Sequence, residues 1–325
     1  MIKLTTQVSY KPCPYKIGYN DNILLLGSCF ADSIGSMLDY YRFNTLINPF
    51  GVLYNPVSIA NAIERIAQLK RFTPADVIKT GELYNSLFHH TSFARETAPE
   101  FLEHANGSLS FASEYLKKAT VVIITLGTAW CYRHIETDTI VANCNKLNPA
   151  LFKRELLSVS KIAENLKRIT TLLTCNYNNP DKKAFPNIRQ VIFTVSPIRH
   201  LKDGLHGNTI SKASLHLALE QVVNGDDIIY FPSYEIMTDE LRDYRFYAED
   251  LVHPSDTAVK YIFEKFTENC FKTDIDATMR MAERITLAER HRPFNRESES
   301  YKQFVLKTAE LKKRFNDTIK REGDI

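Results

Sequence analysis

ILLLGSCFADSIG, Ile23 to Gly35, decides how the rest of the chain is read. Ile23 to Leu26 are four branched apolar residues in a row, a strand with no polar face, as in a parallel sheet covered on both sides. Gly27 ends the strand at a sharp turn. From Phe30 onward the apolar positions Phe30, Ile34, Met37, Leu38 and Tyr41 fall at helical spacing. Strand, small-residue turn and helix set Ser28 and Cys29 at the mouth of a sheet, beside the positive end of a helix. An exposed nucleophile is favoured there because the helix terminus stabilises its anion. A buried packing thiol is the plainer reading of a single cysteine.

Three further apolar runs repeat this pattern: Val121–Leu126, Val191–Val195 and Ile228–Phe231. Helical periodicity separates them, over residues 98–118, roughly 151–173, near 209–223, and after Pro254-Ser255. Strands alternating with helices at this spacing predict right-handed crossovers and a mainly parallel sheet with helices on both faces, the Ile23–Leu26 strand central. Between the first two strands, Leu46 to Pro56 reads as an ordered loop, and Ser58 as the cap of the next helix. Two hairpins are expected, one across Thr80-Gly81 and one turning near Thr137-Asp138. Asn176 to Lys183 reads as a surface loop. From about residue 275 the chain is charged and helical with a break at His291-Arg292-Pro293, which predicts an α/β domain over 1–272 and a helical appendage over 273–325.

The composition is that of a globular protein, 44% hydrophobic and 24% charged. With 41 Lys and Arg against 38 Asp and Glu, nothing favours nucleic-acid binding. No run approaches the length of a membrane span or a signal peptide, so no membrane association is expected. The six cysteines are scattered without a CxxC pair, and read as reduced thiols in a cytoplasmic protein. No cofactor and no metal are expected.

In sheets of this kind ligands bind at the C-terminal ends of the strands. Gly27-Ser28-Cys29, Gly127-Thr128 and Ser196 to His200 each follow a buried strand directly, and Asp250 and His253 come after the fourth. A nucleophile, an imidazole and a carboxylate that orients it make an acyl-transfer triad. Asp250 and His253, three apart, fit one turn, with the carboxylate on one ring nitrogen and Ser28 or Cys29 facing the other. A loop hydrogen bond is the plainer reading of that pair. Oxyanion donors would come from the N–H groups of Gly51 or Gly127, which otherwise read as turn glycines.

GSCFA (27–31), NPFGVLYNP (48–56), TLGTAW (125–130), SPIRH (196–200) and EDLVHPS (249–255) resemble, as an ordered set, the GSCFA-domain family. That resemblance implies kinship with the SGNH/GDSL hydrolases. It also implies a flavodoxin-like three-layer sandwich acting as a hydrolase or acyltransferase on an ester, a thioester or another small-molecule or glycan-linked acyl group. Carried over residue by residue, Asp250 and His253 match the superfamily's terminal Asp-x-x-His. Cys29 falls on the nucleophile, ahead of Ser28, and Gly51 is similar to the second-block oxyanion glycine. The third block, Gly127-Thr128-Ala129-Trp130, lacks the usual oxyanion Asn. His89 or His90 is then the candidate replacement donor. The alternative expectation is a binding or structural protein that keeps the sandwich without turnover.

Overall fold

The computed structural model describes residues 5–174 and 184–323, so the surface loop expected over Asn176 to Lys183 lies outside the described residues. The apolar run of the opening stretch forms β1 (Asn22–Gly27), followed by α1 (Cys29–Tyr40) and β2 (Asn44–Ile47). Next come α2 (Pro56–Ala67), the hairpin β3 (Ile78–Thr80) and β4 (Leu83–Asn85), α3 (Ala98–Lys118) and β5 (Val121–Leu126). β6 (Trp130–His134), β7 (Thr139–Val141) and β8 (Phe152–Leu156) precede α4 (Val159–Thr174) and β9 (Gln190–Val195). The remainder is α5 (Gly204–Leu219), β10 (Ile228–Tyr230), the single turn α6 (Ser233–Glu235), α7 (Asp256–Cys270), α8 (Asp276–Arg290) and α9 (Glu299–Gly323).

Five strands build one parallel sheet in the order β10-β9-β5-β1-β2. All four apolar runs are in it, and helices cover both faces, giving a three-layer α/β arrangement. The period-two alternation of a strand divides the core. Leu24 and Leu26 of β1 face the cluster that includes Ile63 of α2, Leu109 of α3, Leu166 of α4 and Leu215 of α5. Ile23 and Leu25 face the opposite cluster, with Phe30 and Ile34 of α1 and Phe263 of α7. Ile285 of α8 and Phe315 of α9 complete that second cluster, so the C-terminal helices seal the same core as α1.

Several sequence expectations are corrected. β5 holds the middle of the sheet, and β1 lies beside it, kept off the edge by β2, whose Leu46 and Ile47 are expected as loop. The helix expected from about 151 starts at Val159; Phe152–Leu156 is instead a strand paired with β6. Asn55, not Ser58, caps α2, its side chain accepting the Ser58 N–H at 2.9 Å with Pro56 in the first turn. The helix expected near 209–223 begins earlier, at Gly204.

The reduced state expected of all six cysteines also fails. Cys13 and Cys270 form a disulfide that ties the N-terminal arm to the end of α7, with Cα atoms 4.9 Å apart. Their separation of 257 residues is what hid the pairing in the sequence. The argument from reduced thiols to a reducing compartment goes with it. No helix among the described residues is long and apolar enough to cross a membrane.

Candidate active site

Gly27 fixes the geometry at the end of β1. Its φ of +140° is closed to ordinary side chains, and a Cβ there would stand 2.1 Å from the Thr125 carbonyl oxygen of β5. The neighbouring strands therefore close tightly on the turn, and the chain passes straight into α1. Ser28 caps this helix, its Oγ accepting the Phe30 N–H at 3.3 Å. Cys29 is the first helical residue. A first-turn N–H has no intrahelical acceptor, which places the Cys29 amide beside its own thiol as a donor to an anion.

A cavity of about 590 Å³ opens over the C-terminal ends of β1, β5 and β9. Ser28, Cys29, Thr128, Ser196, His200 and His253 all line it, so residues spread over more than two hundred positions meet at one sheet edge. Ser28 is buried with its Oγ engaged in the cap. Cys29 is half-buried, and its Sγ lies 3.4 Å from the Tyr54 Oη. Burial, reinforced by the contact with Cys29, pushes the Tyr54 phenol well above its ordinary range. The phenol therefore keeps its proton at neutral pH, and its O–H is available to a thiolate.

Behind His253, Asp250 is built as an orienting carboxylate. Its Oδ1 accepts the N–H groups of Val252 and His253, each at 2.9 Å, and its Oδ2 accepts from His253 Nδ1 at 2.6 Å. Leu251, at φ +56°, makes the tight turn this requires. The backbone bonds from His253 and Val252 and the imidazole itself hold the Asp250 carboxyl down to about 2. With Nδ1 carrying the proton toward Asp250, Nε2 is left to act as a base. The Arg199 N–H donates to the Val252 carbonyl at 3.2 Å, anchoring this turn to the segment that leaves β9. No hydrogen bond joins His253 to Ser28 or Cys29 among the described residues.

A carboxyl depressed below its unfolded value contributes stability that is fully present above about pH 4 and is lost as the pH falls toward 2. The Asp250 carboxyl carbon, followed by NMR, is expected to titrate with a midpoint of about 2. A midpoint near 4 would show that the His253 turn does not hold it.

The expected oxyanion donors are placed differently. Gly127 N–H and Thr128 N–H both donate to the Tyr54 carbonyl, at 2.9 and 3.0 Å, and Gly51 N–H donates to the Asn48 carbonyl at 2.7 Å. These amides are already used, and neither glycine lines the cavity. His89 is fully buried among Phe50, Phe72, Phe93 and Phe101, where burial pushes it down to about 3. It belongs to the aromatic core away from the cavity. His90 packs against Gly51, where a Cβ would come within 2.4 Å of the His90 Cβ, and it too stands off the cavity wall.

Two residues that the sequence reading passed over matter here. Tyr54 supplies both the phenol on Cys29 and the carbonyl that holds the β5 turn. Lys212 of α5 is 1% exposed, and its Nζ donates to the carbonyls of Gly127 and Ser196 at 2.8 and 2.6 Å. Burial pushes its ammonium down to about 7. It clamps the turns after β5 and β9 from behind. His200, on the wall, is pushed by burial and by that neighbouring cation down to about 4, and is neutral at pH 7. No group of three or more metal-ligating side chains occurs among the described residues.

The model of the GSCFA family matches residues 22–266, and that of the GSCFA domain protein C-terminal domain matches residues 282–321. The first match spans β1 to α7 and contains every residue of the cavity named above. No curated protein matches the chain.

Proposed function

Because the chain belongs to the GSCFA family and its cavity gathers Cys29, Tyr54 and His253, with Asp250 bonded behind the imidazole, we propose that it is an acyl-transfer enzyme of SGNH/GDSL type. Its substrate would be an ester or thioester of a small molecule or a glycan. The observation that carries this reading is the Asp250–His253 pair opening onto the same cavity as the thiol at the start of α1. Cys29 rather than Ser28 takes the role of nucleophile, since Ser28 is buried in its cap while Cys29 is half-exposed and faces the Tyr54 hydroxyl.

In the reaction, His253 Nε2 takes the Cys29 proton and Sγ attacks the acyl carbon. The Cys29 N–H and the Tyr54 O–H are the donors for the oxyanion, an arrangement that does without the missing third-block Asn. Collapse expels the alkoxide or thiolate, which receives the proton from the imidazolium. Water, or an acceptor hydroxyl, then attacks the acyl–sulfur bond with His253 as base, and the thiol is regenerated.

Alkylation of the folded protein by iodoacetamide, read by peptide mass spectrometry, tests the assignment. Burial pushes the Cys131 thiol up to about 12 and raises that of Cys144, so both hold back their thiolates. Cys13 and Cys270 are joined. Cys29 is expected to react ahead of all of these, with a rate that rises with pH. Labelling of Ser28 by a fluorophosphonate while Cys29 stays unmodified would transfer the role to Ser28.

A second reading, a binding protein of the same fold without turnover, is favoured by the capture of the Gly127 and Thr128 amides by Tyr54. Saturable binding of esters with no acyl adduct and no product release would select it.

A further inference from the structure

The charged residues of the cavity wall have a consistent chemistry. Lys146, Arg154, Arg199 and Lys202 all line it, and no Asp or Glu does. Only Arg154 has a carboxylate, that of Asp203. The other three have no acidic partner among the described residues.

Aromatic rings lie against Arg154, Arg199 and Lys202. The Arg199 guanidinium sits 4.2 Å from the centroid of Tyr247 and the Arg154 guanidinium 4.7 Å from that of Tyr132. Lys202 Nζ lies 4.9 Å from the centroid of the same Tyr132 ring and donates to its hydroxyl. A ring face fixes a cation in place without neutralising it. Asp203 already balances Arg154, so the uncompensated charge on the wall is that of Lys146, Arg199 and Lys202, and a wall carrying one sign of charge concentrates the field in the cavity.

Lys146 adds a second, independent sign. It and Asn145 have φ values of +59° and +49°, a left-handed conformation that is unfavourable for a lysine. The loop is held in it from below: the buried Asn145 side chain donates to the Ser86 carbonyl and accepts from Asn85. The backbone is thus kept in an unfavourable turn that leaves a lysine at the cavity edge.

We propose that this wall is an anion subsite, and that the ligand of the cavity carries a phosphate or a carboxylate joined by an apolar stretch to the part that reaches Cys29. The apolar stretch would lie on Val141, Leu147 and Phe152, which line the same cavity. Calling that ligand a substrate rests on the acyl-transfer reading; the anion subsite itself does not.

Trp130 is the chain's single tryptophan and lines the cavity, with the Arg154 guanidinium 5.3 Å from its ring centroid. Its fluorescence therefore reports occupancy without turnover. The full-length protein is titrated with hexyl phosphate, hexanoate and hexanol, three ligands with the same chain. Both anions are expected to give saturable changes at concentrations about tenfold or more below any change with hexanol, and added salt should weaken them. A stronger response to hexyl phosphate than to hexanoate assigns the anion as phosphate, and the reverse order assigns it as carboxylate. The double variant Arg199→Gln, Lys202→Gln should weaken the anions about tenfold and leave hexanol unchanged, with its thermal midpoint confirming the fold. Equal binding of hexanol, an unaltered double variant, or no saturable change with either anion overturns the proposal. Anion binding with no Cys29 adduct from mono-p-nitrophenyl adipate, an activated ester that also carries a carboxylate, would defeat the acyl-transfer reading alone. Acylation without anion preference would defeat the subsite alone.

Discussion

His253→Ala is expected to bring acyl transfer down to the background rate while leaving the fold intact. The imidazole is the one base on the cavity wall with a carboxylate behind it, and its side chain is 47% exposed, so the core loses nothing. His200, the other histidine on the wall, is no substitute. Burial pushes it down to about 4, too weak a base at neutral pH. Loss of the base in a triad costs on the order of 10⁴-fold or more, and Asp250→Asn should cost a few powers of ten by releasing the Nδ1 tautomer. The measurements are kcat/KM on any ester or thioester the protein turns over, with circular dichroism of each variant. Full turnover by His253→Ala on such a substrate would falsify the triad.

Lys212→Met is expected to change how stability depends on pH. In the native state burial holds this ammonium down to about 7, whereas in the unfolded chain it returns to about 10.5. Between those values the unfolded chain binds a proton that the native protein lacks, so native stability rises with pH. From pH 7 to 9 the gain is about 2 kcal/mol. Methionine keeps the apolar stem, removes the titration, and should remove that rise. Denaturant unfolding of both proteins at pH 7, 8 and 9 measures the difference, and parallel profiles would show that Lys212 stays protonated in the native state. The same variant leaves the Ser196 carbonyl without its donor. The turn after β9 should then loosen, and any catalytic rate should fall even where stability does not.

The sequence disclosed the sheet wherever a strand was buried on both faces. From Ile23 in β1, and throughout β5 and β9, every residue is buried, so each strand appears as a mainly apolar run. β2 is an edge strand, and Asn44 and Thr45 hide it among turn residues. β8, Phe152 to Leu156, carries Lys153, Arg154 and Glu155, whose charges serve the cavity and the Arg133 ion pair rather than a core. Its residues fit a helix as well as a strand, and only pairing with β6 decides between them.

Much of the site was legible because strand ends converge, which topology guarantees without knowledge of side-chain contacts. Cys29, Ser28, Thr128 and His253 could therefore be placed in one cavity. Which amides remain unused could not be read, since the Tyr54 carbonyl takes two of them through a contact more than seventy residues apart in sequence. Nor does anything in the run of α5 separate the buried Lys212 from a solvent-facing lysine. The difference is made entirely by the strand turns packed on it.

β6, β7 and β8 leave β5 and return before α4 crosses to β9, and β5 and β9 are neighbours in the main sheet. This three-stranded unit is therefore an excursion within a single crossover: its removal or exchange alters no strand order and breaks no main-sheet pairing. It contributes Trp130, Tyr132, Phe152 and Arg154 to the cavity, while Cys29, His253 and Asp250 all lie outside it. The excursion thus supplies one side of the cavity wall, while Arg199 and Lys202 come from the segment that leaves β9. Exchange of this excursion, roughly residues 130–156, would change that side of the wall while Cys29, Asp250 and His253 keep their places, so long as Cys131 and Ile140 still fill the core beneath it.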